Sequence, residues 1–483
     1  MRPSLLPCVL SLTILAGIVN ADSVFDPEQV YYDWVRADGS LAGGVVLMDT
    51  SADEPAEIDA SAVAGVVRVW PNGASPEMML GSSPNRLDLV IVGDGYQTSQ
   101  LGAYAVHAQN AINAMFSREP FKTYQNLFRV HRVDVVSNDS GVDNDPAQGI
   151  LRDTALDMAF WCNGTERLLC VSLSKAMQYA NTAPFGRNQV LAVANSSKYG
   201  GAGYPSSDLA TVAGANGSAA EVAIHEFGHS IGNLADEYNY GGPTTYTGGE
   251  PSSPNSSKLQ NATMLAQQQK WFRWLNESFP QFDGLVSTYE GSSYSQLGVY
   301  RPSNNSLMRN LGRPFNMPSA EALIIQMYAF VDPIDDSTPT TQVLDGSEIV
   351  FVDPIDLVGA SLDVQWFLDA VAIPGATSDQ IDLSVLSISS GLHLLEAVVT
   401  DNTPWVRNEQ ARASLMRETR QWAVLVEHCY ADCDGNGMVN VFDYVCFGNA
   451  FASQQQYADC DGDSLFTVFD YICFGNAYAT GCP

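Results

Sequence analysis

The segment His225-Glu226-Phe227-Gly228-His229 constrains this chain more than any other. Two histidines four apart share a face only on a helix, which repeats every 3.6 residues. The preceding residues suit one. Ala219, Ala220, Val222, Ala223 and Ile224 propagate a helix, and Ser218 with Glu221 forms an S-x-x-E capping box at its start. Both imidazoles then grip one ion. Zinc suits two imidazoles and a carboxylate, with one coordination position left open. Glu226, beside the first histidine, is placed to take a proton from an attacking water. The chain has only 6 histidines, so two of them at this spacing weigh against a chance pair. Gly232 follows, where the helix can stop and turn. Asp236 and Glu237 come next and offer the carboxylate.

The whole run from His225 to Tyr238, HEFGHSIGNLADEY, resembles the signature of the IgA-peptidase family of zinc metallopeptidases, within the metzincin-like group. The likeness extends over residues 85–330. Asp88 to Tyr96 is similar to that family's opening strand and turn, and Asn305-Ser306-Leu307-Met308-Arg309 to its methionine turn. Trp271, Trp274, Tyr289-Glu290-Gly291 and the run 298–302 match its texture. The resemblance implies a metzincin-like core, Met308 beneath the metal, and hydrolysis of peptide bonds with Glu226 as the base. Two departures stand out. The usual third ligand position, HExxHxxGxxH/D, holds Ala235, which has no donor atom. A turn longer by one residue brings Asp236 to the metal; Glu237 is the alternate. Where family members often carry cysteines near the methionine turn, this chain has Ser306 and Asn316. Tyr238, Tyr300, Arg301 and Arg309 are the candidate donors to the oxyanion.

Around this core the texture changes. Residues 22–84 carry short apolar runs at 44–48 and 64–70 and read as a β-rich N-terminal module. Within the peptidase domain, 85–332, a buried strand at 87–92 ends in a Gly93-Asp94-Gly95 turn. A helix at 99–117, a strand at 127–136 and a strand at 189–194 follow, which is the alternation of an α/β core. The loop 138–149 holds Asp139, Asp143 and Asp145; it reads as a solvated acidic loop, with a structural calcium site as the alternative. Residues 333–339 look like a linker. Short alternating runs at 348–352, 361–368, 381–388, 393–400 and 421–426 then suit an Ig-like β-sandwich over 340–427.

The last unit, 428–483, is a duplication. DCDGNGMVNVFDYVCFGNAFA at 432–452 recurs as DCDGDSLFTVFDYICFGNAYA at 459–479, a period of 27 residues. Each copy opens like a calcium loop. Asp432, Asp434, Asn436, Asn440 and Asp443 take positions 1, 3, 5, 9 and 12, with Gly437 at the sharp turn; Asp459, Asp461, Asp463 and Asp470 take positions 1, 3, 5 and 12 of the second. Ser464 replaces the turn glycine there. A calcium loop and a short helix, twice over, resembles a dockerin, which implies a cohesin-like partner on a scaffold or cell surface.

Arg2 ahead of the apolar run 5–19, with Val19-Asn20-Ala21 after it, reads as a secretory signal cut near Ala21. No later stretch is long and apolar enough to suggest a membrane span. Setting aside Cys8, eight cysteines remain, an even number in an exported chain. The expected pairs are Cys162–Cys170, Cys433–Cys446, Cys460–Cys473 and Cys429–Cys482. With 54 acidic against 23 basic residues the net charge is −31. Such a surface repels phosphate backbones, which disfavours nucleic-acid binding. No P-loop, GxSxG elbow or GxGxxG turn is present, and no carboxylate pair marks a glycan-active enzyme. The sequence thus reads as a multidomain, secreted zinc endopeptidase: an α/β metzincin-like core with β-rich and β-sandwich modules and a calcium-binding, dockerin-like tail. The alternative is a non-catalytic adhesion or assembly protein on a degenerate peptidase fold.

Overall fold

The computed structural model describes residues 28–36, 41–48, 63–68, 85–239, 244–426 and 429–481. The expected signal segment and Cys8 lie outside them.

Among the described residues, the central feature is an eight-stranded mixed sheet. Its strands are β1 (Glu28–Val35), β2 (Leu41–Met48), β3 (Val63–Arg68), β4 (Leu87–Asp94), β5 (Phe128–Val135), β6 (Gln189–Ala194), β7 (Gly201–Tyr204) and β8 (Leu209–Ala213), in the order β2-β1-β7-β8-β6-β4-β5-β3. Strands β5, β4, β6 and β8 run parallel. A parallel strand covered on both faces must be apolar throughout, and every residue of β4 is buried. Side chains alternate between faces. Leu89, Ile91, Leu191 and Val193 enter one core with helices α1 (Leu101–Phe116) and α3 (Ala219–Ser230). Val90, Val92, Val190 and Ala192 enter the other, with α2 (Leu173–Ala180).

The expected independent N-terminal module is not what forms. Hairpin β1–β2 joins the sheet at one edge, through β1 against β7, and β3 joins at the other, against β5. Val30, Leu41 and Ala42 of the hairpin are buried there. The Gly93-Asp94-Gly95 turn also starts later than expected, because β4 runs on through Asp94. The Asp94 carboxylate is buried and accepts from Leu156 N and Met158 N at 2.8 Å and from the Thr154 hydroxyl at 2.9 Å. It thereby fastens the distant loop at 154–158.

Beyond α3 lie α4 (Asn261–Gln267), hairpin β9 (Tyr289–Ser292) with β10 (Ser295–Arg301), and α5 (Met317–Tyr328). Asn316 caps α5 by accepting from Ser319 N, and Pro318 occupies its first turn.

Two further sheets follow. One is β11 (Ile334–Ser337), β12 (Ile349–Pro354) and β15 (Gln380–Asp382). The other is β14 (Val371–Ala372), β13 (Asp363–Leu368), β16 (Gly391–Thr400) and β17 (Arg417–Val426). Trp366 of β13 and Trp422 of β17, both in the second sheet, stack at 5.6 Å in one core with Val350 and Val352 of β12. The expected linker is itself strand β11, paired with β12. The run 381–388 yields only the short β15 and a 3-10 turn. Helix α6 (Glu409–Leu415), unexpected from sequence, is capped by Asn408.

These two sheets are fused to the half that holds the eight-stranded sheet. One continuous apolar core contains Phe121, Tyr124 and Tyr328 together with Val350, Trp366 and Trp422. Buried Asp401 accepts hydrogen bonds from the hydroxyls of Tyr124 at 2.8 Å and Tyr328 at 3.0 Å. Glu321 on α5 accepts from Arg407 N and Asn408 N.

The tail folds around its own core. Helices α7 (Val441–Ala452) and α8 (Val468–Thr480) bring Phe447 and Phe474 into a stack at 4.2 Å. Those residues are one repeat apart. So are Tyr430 and Tyr457, whose hydroxyls each donate to the other's carbonyl. Disulfides join Cys162–Cys170, Cys433–Cys446 and Cys460–Cys473, with Cα separations of 6.2, 5.7 and 5.8 Å. Cys429 is disulfide-bonded; Cys482, its expected partner, lies outside the described residues.

Candidate metal centre

Helix α3 carries His225, Glu226 and His229 on buried turns. Its start differs from the expected capping box. Ser218 makes no side-chain cap; the Asn216 side chain accepts from Ser218 N instead. Glu221 is drawn away to Arg118 at 2.5 Å and to Gly312 N at 2.9 Å, a charged partner outweighing a local backbone amide. The far end behaves as expected. The helix stops at Ser230, and a Cβ on Gly232 would stand 2.9 Å from Gly228 O. The chain therefore turns back tightly there.

That turn brings Asp236 to the histidines. Its Oδ1 lies 3.1 Å from His225 Nε2 and 3.4 Å from His229 Nε2, and the two Nε2 atoms are 3.2 Å apart. These three residues offer ligand atoms all within 4.8 Å of one another. Each imidazole is oriented from behind: Leu307 O lies 3.1 Å from His225 Nδ1, and Leu234 O 2.7 Å from His229 Nδ1. Nδ1 donating to a carbonyl leaves Nε2 with its lone pair free for a cation. Tyr294 donates to the other Asp236 oxygen.

Glu237, the alternate ligand, points elsewhere. Its carboxylate accepts from Asn255 at 3.0 Å, Ser306 at 2.7 Å and Asn316 at 2.7 Å. The two residues that stand in place of cysteines thus clamp a buried carboxylate. The 305–309 segment is tied to the same stretch, since Glu237 N donates to Met308 O at 2.8 Å. Met308 is buried beneath α3, and a Cβ on Gly228 would lie 2.5 Å from its sulfur. A glycine just before the second histidine lets Met308 approach this closely.

The electrostatics call for a cation. Both Glu226 oxygens and Asp33 Oδ2 are buried and accept no hydrogen bond among the described residues. Asp33, His225 and Glu226 form a second compact group of possible ligands. Burial raises the Glu226 and Asp33 carboxyls above their ordinary range, and each pushes the other further or is pushed by Asp236. Burial pulls His225 down, but Asp236, Asp33 and Glu226 outweigh it and lift the imidazole to about 10. Asp236, though buried, is held well below the usual carboxylate range by the two histidines. Orphaned buried carboxylates are costly, and a divalent ion is the natural compensation. The donor set therefore fits zinc.

No motif points to Asp33, Tyr31, Tyr199 or Tyr294 at this site. Tyr31 stacks on His229 at 4.4 Å, and Tyr199 donates to Asp33 at 3.1 Å. No motif links residue 33 to residue 225; only the pairing of β1 with β7 does. Of the candidate oxyanion donors, Tyr238 is buried beside the centre with its hydroxyl unpartnered. Tyr300 accepts from Gln260, and Arg301 is spent on the carbonyls of Glu290, Gly291 and Asn304.

The acidic loop is tied to protein groups. Asp139 accepts from Asp153 N, Asp143 from Arg152 N and Asp145 from the Ser196 hydroxyl. In the tail, Asp432, Asp434 and Asp443 converge, as do Asp459, Asp461 and Asp470. Asn436 and Asp463 turn their side-chain oxygens to Met438 N and Leu465 N. Asn440 caps α7 with Asp443 in a capping box.

The family model of IgA peptidase M64 matches residues 78–283. No curated protein matches the chain. The matched segment spans His225, Glu226, His229 and Asp236 and supports a peptidase, a hydrolase whose substrate is protein or peptide.

Proposed function

We propose that the chain is a secreted zinc endopeptidase whose C-terminal domain tethers it through calcium-organised repeats. The observation that carries the first part is the convergence of His225, His229 and Asp236 beside an unpartnered, buried Glu226. Zinc held by His225, His229 and Asp236 would supply Lewis acidity to the scissile carbonyl and the attacking water. Glu226 takes the proton of that water and returns it to the leaving amine. Its raised proton affinity, from burial first and from Asp33 next, suits that relay. Tyr294 holds Asp236 in place, and the Tyr238 hydroxyl donates to the oxyanion. Glycine at 201 and 203 lets strand β7 pass close to the Glu226 carboxylate. Peptide-library profiling of the purified protein, with and without a chelator, tests this reading. Sequence-selective cleavage that stops on chelation and returns with zinc is expected; a zinc-loaded protein freed of its β1–β2 hairpin that cuts no peptide would leave the adhesion or assembly reading in its place.

The duplicated carboxylate clusters support calcium in the tail. Helices α7 and α8 leave Val441, Phe442 and Val445, and their repeat mates Val468, Phe469 and Ile472, exposed. Exposed apolar side chains at matched positions suit docking to a cohesin-like partner. The disulfides fit an exported chain; no helix among the described residues is long and apolar enough to cross a membrane. Ser464 sits at φ 65°, where Gly437 of the first repeat has φ 81°. The left-handed region costs a residue with a Cβ about 1–2 kcal/mol, so ordering the second loop is harder. Ser464→Gly is expected to tighten calcium binding several-fold in calorimetric titration of the full chain; unchanged affinity would separate the turn from the binding step.

A further inference from the structure

Strand β7 borders the metal helix, and its free edge would offer unpaired backbone groups to any extended peptide. That edge is taken. Strand β1 lies antiparallel along it, with Tyr31 opposite Gly203. Residues two apart on a strand share a face. Tyr31 and Asp33 both face α3: the Tyr31 ring stacks on His229, and Asp33 Oδ2 stands 3.8 Å from His225 Nε2. Asp33 is 1 % exposed, and Tyr199 orients it through its other oxygen at 3.1 Å. The second strand of the hairpin closes over the site. Gly43 pairs with Asp33, and any Cβ there would run into the Tyr238 hydroxyl and the Tyr32 carbonyl. A carboxylate buried without a hydrogen-bond partner on that oxygen, and aimed at the ligand histidines, is the unpaired group that a metal would satisfy.

We infer that Asp33 is a further ligand to the metal, and that hairpin β1–β2 occupies the place of the substrate strand and holds the full chain latent. This rests on the metallopeptidase reading above. The substrate it displaces is therefore an extended peptide running antiparallel to β7. Its backbone pairs with that edge, and one of its side chains stacks on His229 where Tyr31 now does. Unseating β1 frees the edge, the open metal position and the Tyr238 hydroxyl together.

The test compares the zinc-loaded full chain with Asp33→Ala and the isosteric Asp33→Asn, the latter covering any folding defect of the former. The first readout is binding of acetohydroxamate, a metal-directed probe, by calorimetry; the second is cleavage of a peptide library. When a closed state dominates, apparent affinity falls by the open fraction. Zinc content is expected to stay unchanged, while acetohydroxamate affinity and cleavage rate rise about tenfold or more in both variants. If acetohydroxamate binding rises in the variants and no protein cuts peptide, the latency inference stands and the peptidase reading fails. If the wild-type chain binds acetohydroxamate and cleaves as well as both variants, Asp33 does not occupy the metal and the inference is overturned.

Discussion

Glu226→Gln is expected to keep its zinc and lose peptide hydrolysis by about 10²–10⁴-fold, the range of a general base removed from its transition state. Glutamine has the shape of glutamate, so the pocket beside Gly201 and Gly203 should be undisturbed. What it lacks is a carboxylate to accept the water proton. Because neither Glu226 oxygen has a hydrogen-bond partner among the described residues, no protein neighbour loses a contact on substitution. The measurement is kcat/KM in the wild-type and Asp33→Ala backgrounds, with zinc content determined on the same samples. A zinc-loaded Glu226→Gln protein as active as its parent would remove Glu226 from the reaction.

The second large effect separates two adjacent carboxylates. Asp236→Ala removes an oxygen 3.1 Å from His225 Nε2 and leaves the histidine pair without its third donor. Zinc affinity should fall by more than the about 10–100-fold that loss of a supporting group costs. Glu237→Ala instead removes the acceptor of Asn255, Ser306 and Asn316 and leaves Ser306 without the carboxylate it donates to, while Asn255 keeps Ala235 O. Each unsatisfied buried group costs about 1–3 kcal/mol. That variant should therefore melt earlier while binding zinc at near-native affinity. Competition with a chromogenic chelator, paired with thermal melts, distinguishes them. The reverse pattern would make Glu237 the ligand.

Much of this site was legible because its information is local. A helix repeat puts residues 225 and 229 on one face whatever surrounds them, and Gly232 marks where that helix must end. Asp236 over Glu237 was a preference about one extra residue in a turn, and only the geometry separates their directions. The duplicated tail was equally plain, because two copies 27 residues apart report on each other. What stayed hidden is long-range. Nothing within residues 28–48 says that they pair with residues 201–204, so an edge strand of the sheet read as a separate module. The 333–339 stretch carried linker composition, yet tertiary pairing made strand β11 of it. The Ser218–Glu221 box failed for the same reason: Arg118, distant in sequence, outbid the local amide.

The fusion of the sandwich with the peptidase half bears on where the chain can be divided. Asp401 fastens Tyr124 and Tyr328 across the seam, and the apolar interior runs through it without a break. Severing the polypeptide after α5 would bare that interior and strand both phenols. The segment that matches the family model, residues 78–283, ends before α5 and so before part of that interior. Through β17 the chain shares one interior, so a cut anywhere between α5 and that strand would expose it.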